Sequence, residues 1–131
     1  MIGLDTNVLV RYIMQDDPKQ SRKATSLIES LDDDHPGFIT IVSILELYWV
    51  LTSCYDLTTD QVKQVLDVLL RTRQIIVDRA DQVLRALRVL EAGRADFADC
   101  LIERTAASVG CEHTFTFNVN AAKYAGMTLI V

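Results

Sequence analysis

Five short apolar runs recur along this chain, and between them lie segments whose apolar residues fall three and four positions apart. Residues 1–4, 38–41, 75–77, 114–117 and 128–131 read as strands, the first of them buried. Val8, Leu9, Tyr12 and Ile13 place a helix over 6–14, and Ala24, Leu27, Ile28 and Leu31 place one over 18–31, with Pro18 suited to its first turn. A third helix is expected over 43–54, with Tyr48 and Trp49 in the core. A fourth starts at a Thr58 or Thr59 cap and carries the stripe Val62, Val65, Leu66, Leu69 and Leu70. Val83, Leu84, Leu87 and Leu90 mark a helix ending near Gly93, another runs from Asp96 to about Val109 with Gly110 as its stop, and a helical turn falls at 121–124. Short strands that each lead into a helix predict an α/β fold with a largely parallel sheet. No repeat or linker interrupts the pattern, so one domain over 1–131 is expected.

With 50% hydrophobic and 24% charged residues in 131, the chain has the composition of a globular protein with a sizeable core. No stretch approaches the roughly 20 apolar residues of a membrane span, and no signal-peptide pattern opens the sequence. Cys54, Cys100 and Cys111 are odd in number and form no CxxC pair, which points away from a disulfide framework or a zinc site. A reducing, cytoplasmic location is the expectation. The net charge of −5 argues against a protein that coats nucleic acid, unless bound cations cancel part of the charge locally.

Four acids stand at the edges of apolar runs: Asp5, Glu46, Asp96 and Asp99. Carboxylates set into core-forming segments need a partner, and a hard divalent cation, Mg²⁺ or Mn²⁺, is one that takes oxygen ligands. Each acid also has a purely structural explanation. Ser43-Ile44-Leu45-Glu46 has the form of a capping box, Asp96 can cap a helix with Asp99 in its first turn, and Asp5 can cap at a strand-to-helix turn. Capping accounts for any one of them and less well for the set, because in a parallel α/β sheet ligands bind beyond the carboxyl ends of the strands, where Asp5, Glu46, Asp96, Asp99 and Asn118 are all expected. His35 and His113 read as structural, Cys100 as a buried inert thiol, and no phosphate loop or nucleophilic triad is present.

Together the segments Ile2-Gly3-Leu4-Asp5-Thr6-Asn7-Val8-Leu9-Val10-Arg11, Ser43-Ile44-Leu45-Glu46, Ala95-Asp96-Phe97-Ala98-Asp99-Cys100-Leu101-Ile102 and Thr116-Phe117-Asn118 resemble the PIN-domain ribonucleases, in particular the VapC-type toxins of toxin–antitoxin pairs. The resemblance runs the length of the chain. It implies an α/β/α sandwich with a short central sheet, a homodimer, an RNA substrate, a VapB-like antitoxin as partner, and Mg²⁺ or Mn²⁺ as cofactor. By position, Asp5, Glu46 and Asp99 match the family's principal acids, with Asp96 an additional one. Thr6, Asn7, Ser43 and Thr116 match supporting polar positions. Asn118 stands where the family often has Asp, a departure that removes one negative charge. Arg11, Lys19, Arg22 and Lys23 are candidates for phosphate contacts, although a solvated helical face explains them equally well. The expected activity is metal-dependent endoribonuclease hydrolysis. The competing readings are a catalytically weakened PIN-like protein-binding module and a metal-dependent nuclease or phosphatase acting on another substrate.

Overall fold

The computed structural model describes residues 1–131 and orders them as β1 (Ile2–Gly3), α1 (Thr6–Met14), α2 (Pro18–Glu29), β2 (Gly37–Ile39), α3 (Ile41–Ser53), α4 (Thr59–Arg71), β3 (Ile75–Val77), α5 (Ala80–Ala92), α6 (Phe97–Ser108), β4 (Phe115–Thr116), α7 (Val119–Tyr124) and β5 (Thr128–Leu129). Each expected strand and helix is present, in an α/β fold with short, wholly parallel sheets. The chain divides into two compact units, Met1–Asp78 and Arg79–Val131.

In the first unit the sheet order is β1-β2-β3, with Ile2 opposite Gly37 and Phe38 opposite Ile76. The start of the middle strand is tightly packed. A Cβ on Gly37 would fall 2.8 Å from one methyl of Leu4 and 2.9 Å from one of Leu31, so glycine here permits close packing of the loop ends on the strand. The core is aliphatic, built from Leu9, Ile28, Ile39, Ile44, Leu47, Leu51, Val62 and Leu66. Strand β1 departs from expectation: Ile2 and Gly3 are exposed, since an edge strand of two residues has a single hydrogen-bonded neighbour, and burial begins at Leu4.

Except at α5, which begins at Arg79 without one, helix starts follow side-chain caps. Thr58 accepts from the Gln61 N–H while Gln61 reaches back to the Thr58 N–H, completing a capping box, and Asp17 accepts from the Gln20 N–H ahead of Pro18. The capping box read at Ser43 and Glu46 does not form. Helix α3 starts two residues earlier because the Thr40 hydroxyl captures the Ser43 N–H, which places Glu46 on the second turn. Trp49 is likewise no core residue: Ile44, Leu47 and Leu51 turn to the interior, while Trp49 lies on the opposite side, 60% exposed.

The second unit packs α5 against α6 through Val83, Ala86, Leu87, Leu90, Phe97 and Leu101. Its two strands, β4 and β5, pair parallel with Thr116 opposite Leu129 and form a separate two-stranded sheet. Gly110 closes the end of α6 at φ +98°, a left-handed conformation that suits glycine.

Candidate functional site

Asp5 ends the β1 segment and caps α1, its Oδ1 accepting from the Thr6 N–H at 2.7 Å. The cap holds one carboxylate oxygen and leaves the group exposed at the mouth of an open cleft of about 580 Å³. Glu46 lines the same cleft from α3, as do Thr6, Asn7 and Arg11, with Val10 and Val50 as apolar wall. Neither acid is buried, which corrects the reading of both as carboxylates set into the core. The helical period that buries Ile44 and Leu47 turns Glu46 outward, and the strand-to-helix turn does the same for Asp5.

Two residues that sequence reasoning missed complete the lining: Cys54 and Tyr55. Tyr55 belongs to a polar network around Arg11. The Arg11 Nη1 donates to both Asp16 oxygens, at 3.0 and 3.2 Å, and to the Tyr55 hydroxyl at 3.2 Å, while Nε donates to Gln20 Oε1 at 2.8 Å. The Tyr55 hydroxyl in turn donates to Asp16 at 2.7 Å. These bonds hold the Asp16 carboxyl below its ordinary range, the tyrosine hydroxyl contributing first and Arg11 after it, and the bond to Asp16 in turn raises Tyr55 and Arg11. No local signal pairs Asp16 with Tyr55; only the approach of the loop after α1 to the end of α3 does so.

A second groove of about 270 Å³ shares Asn7 and Arg11 with the cleft and adds Lys23, Gln20 and Leu27. Of the four basic candidates, Arg11 and Lys23 therefore line connected walls. Lys19 and Arg22 are exposed on α2 and line neither groove, consistent with a solvated face. Ser43 is also outside the cleft lining, with its N–H and hydroxyl bonded to Thr40.

In the second unit Asp96 caps α6, its Oδ1 accepting from the Asp99 N–H at 3.2 Å. Burial pushes the Asp99 carboxyl above its ordinary range, and the neighbouring Asp96 charge adds to the shift. Asp96 itself is exposed and Asp99 half-buried, so neither sits in the core. Cys100, between Asp99 and Leu101, is fully buried and its thiol is pushed up to about 11, chiefly by burial, in agreement with an inert thiol. The Asn118 N–H bonds to the Thr116 hydroxyl at 3.0 Å, and its side-chain oxygen caps α7 by accepting from Asn120 at 2.8 Å and Ala121 at 3.1 Å. Both acceptor positions of that oxygen are thereby used.

No three His, Cys, Asp or Glu side chains gather closely enough to hold a metal ion by themselves. The donor chemistry of the first-unit cleft nevertheless fits Mg²⁺, which is commonly held by one or two carboxylates and completes its shell with water and phosphate oxygens. Asp5 and Glu46 supply that number, and the Thr6 hydroxyl beside them is buried without a hydrogen-bond partner, a group whose isolation costs about 1–3 kcal/mol unless water or a ligand meets it.

The PIN domain family model matches residues 2–127. The chain belongs to the PIN domain family. PIN domains are generally nucleases, and the match covers both units and every candidate acid. No curated protein sequence matches the chain. No helix of this PIN domain is long and apolar enough to cross a membrane.

Proposed function

We propose that this PIN domain is a metal-dependent endoribonuclease and the toxin component of a VapBC-type pair. The observation that carries the reading is the cleft in which Asp5 and Glu46 stand beside the orphaned Thr6 hydroxyl, with Arg11 on the same wall. Asp5 and Glu46 would hold Mg²⁺ or Mn²⁺ in the cleft, and the family resemblance proposes Asp96 and Asp99 of α6 as further carboxylates for the cation. When bound, the cation supplies positive charge against the scissile phosphate and acidifies the attacking water. The chain's own groups do the rest. The α1 cap orients Asp5 through the Thr6 N–H, Glu46 is placed to accept a proton from water, and Thr6 and Asn7 offer hydrogen bonds to ligands. Arg11, already held by Asp16, Tyr55 and Gln20, presents a fixed cation to phosphate, and Lys23 extends that charge along the adjoining groove.

The family resemblance adds a homodimer and an antitoxin. An apolar groove of about 530 Å³ between the end of α1 and α4, lined by Ile13, Met14, Leu57, Val65 and Val68, offers a seat for an antitoxin helix. A basic partner residue would then replace the cation beside Asp5 and Glu46.

Cleavage of single-stranded RNA with added Mg²⁺ or Mn²⁺ tests the assignment, read together with melting temperature. Asp5→Asn and Glu46→Gln should each lower the cleavage rate beyond the roughly 10–100-fold that loss of a supporting metal contact costs, with the fold intact. Full activity in both variants sinks the ligand roles. The second reading, a weakened protein-binding module, is favoured by Asn118, whose oxygen is committed to the α7 cap. It predicts no metal-stimulated cleavage of RNA, of DNA or of a phosphate monoester by the wild-type protein.

A further inference from the structure

The second unit has a pocket of about 450 Å³ where the C-terminal half of α5 meets α7, lined by Arg88, Val89, Ala92, Gly93, Lys123 and Tyr124. We propose that it is a nucleotide subsite for single-stranded RNA, in which Arg88 and Lys123 hold a backbone phosphate and Tyr124 packs against the attached ribose or base. The proposal rests on the ribonuclease reading and adds a strand-binding position to it.

Charge is the first support. The chain carries 18 acids and 13 bases, and of those bases Arg11, Lys63, Arg71, Arg73 and Arg104 form ion pairs. Arg88 has none. Lys123 has none either, and its Nζ lies 5.4 Å from the centroid of the Tyr124 ring, a cation–π contact that restrains the ammonium at the pocket wall. Two cations without counter-ions thus line one concavity.

Shape is the second. Gly93 keeps a wall of the pocket low: a Cβ there would meet nothing nearer than Tyr124 Cδ1, at 3.9 Å. The remaining surface is the tyrosine ring with Val89 and Ala92. A carboxylate peptide would satisfy the charges and leave this apolar and aromatic surface unused, whereas a nucleotide brings an anion and a planar ring on the same unit. Cations that track phosphates, combined with an aromatic platform for a base, are the usual means of holding single strands.

The test is binding of fluorescein-labelled hexauridylate, read by polarisation in Mg²⁺ with the Asp5→Asn protein so that the probe survives, alongside RNA cleavage by the wild type. Replacing Arg88 and Lys123 together by Gln should weaken Kd about tenfold and flatten the slope of log K against log salt by about 0.7–1.4. Tyr124→Leu should weaken Kd about fivefold with the slope unchanged. Where the pocket is left intact, a 4-thiouridine probe should cross-link to residues 88–93 or 119–124. If the wild type cleaves RNA but the double variant keeps Kd and slope, or if cross-links form only elsewhere, the subsite is wrong and the ribonuclease reading survives. Equal displacement of the probe by heptaglutamate and by unlabelled hexauridylate would reduce the pocket to a general anion site and overturn the nucleotide assignment. A protein that neither binds nor cleaves RNA loses both.

Discussion

Asp16 shows how much a single carboxylate can depend on distant chain. It is held by Arg11 from α1 and by Tyr55 from beyond α3, and the tyrosine hydroxyl is the larger influence on its titration. Because the folded carboxyl titrates below its ordinary 3.8, its contribution to stability is complete above that pH and disappears as pH falls through the lowered value. Tyr55→Phe should therefore raise the Asp16 titration midpoint followed by carboxyl ¹³C NMR, and an unmoved midpoint would show that the hydrogen bond does not persist in solution. The thiols separate by burial in the same way. Cys54 and Cys111 are exposed, whereas Cys100 is buried with its thiol pushed up to about 11. At pH 8 a thiol reagent should titrate two cysteines promptly in the native protein and the third only on denaturation; three prompt thiols would contradict the packing around α6.

At the level of the element, caps and strand contacts decide where most segments begin. Thr40 takes over the start of α3 because the chain leaves β2 at Ile39 and the first exposed backbone N–H groups need an acceptor at once. The Ser43–Glu46 pair had the right chemistry three residues, nearly a full turn, too late. Strand β2 illustrates the opposite limit, where a residue is set by its neighbours in space. Gly37→Ala should force the Leu4 and Leu31 side chains to shift and lower stability by about 1–3 kcal/mol, the usual cost of overpacking, with the loss visible in thermal or urea unfolding. An unchanged midpoint would mean that both leucines repack without strain.

For the molecule as a whole, the expectation of one domain over 1–131 becomes a statement about cooperativity. Trp49, the chain's only tryptophan, reports on the unit Met1–Asp78, and the buried thiol of Cys100 reports on Arg79–Val131. The second unit is near the lower size limit for independent folding, roughly 50–60 residues, so a single cooperative transition is expected. Tryptophan fluorescence and Cys100 reactivity should share one urea midpoint. Two separated midpoints would make the units independent folding domains.

The sequence by itself determined the α/β class, the position of every strand and helix to within a few residues, a cap at Thr58 or Thr59, capping as one reading of Asp5 and Asp96, and the PIN resemblance. These are local properties, written in the period of apolar residues and in side chains that reach their own backbone. Only the tertiary structure decided that β4 and β5 pair apart from β1-β2-β3, that Asp5 and Glu46 share a cleft with Tyr55 and Cys54, and that Trp49 faces solvent. Helical periodicity says which residues share a face, but α3 is apolar on most of its circumference, so the sequence did not say which face its neighbours would cover. Which distant side chains meet depends on how the elements pack, and no spacing within a single segment carries that information.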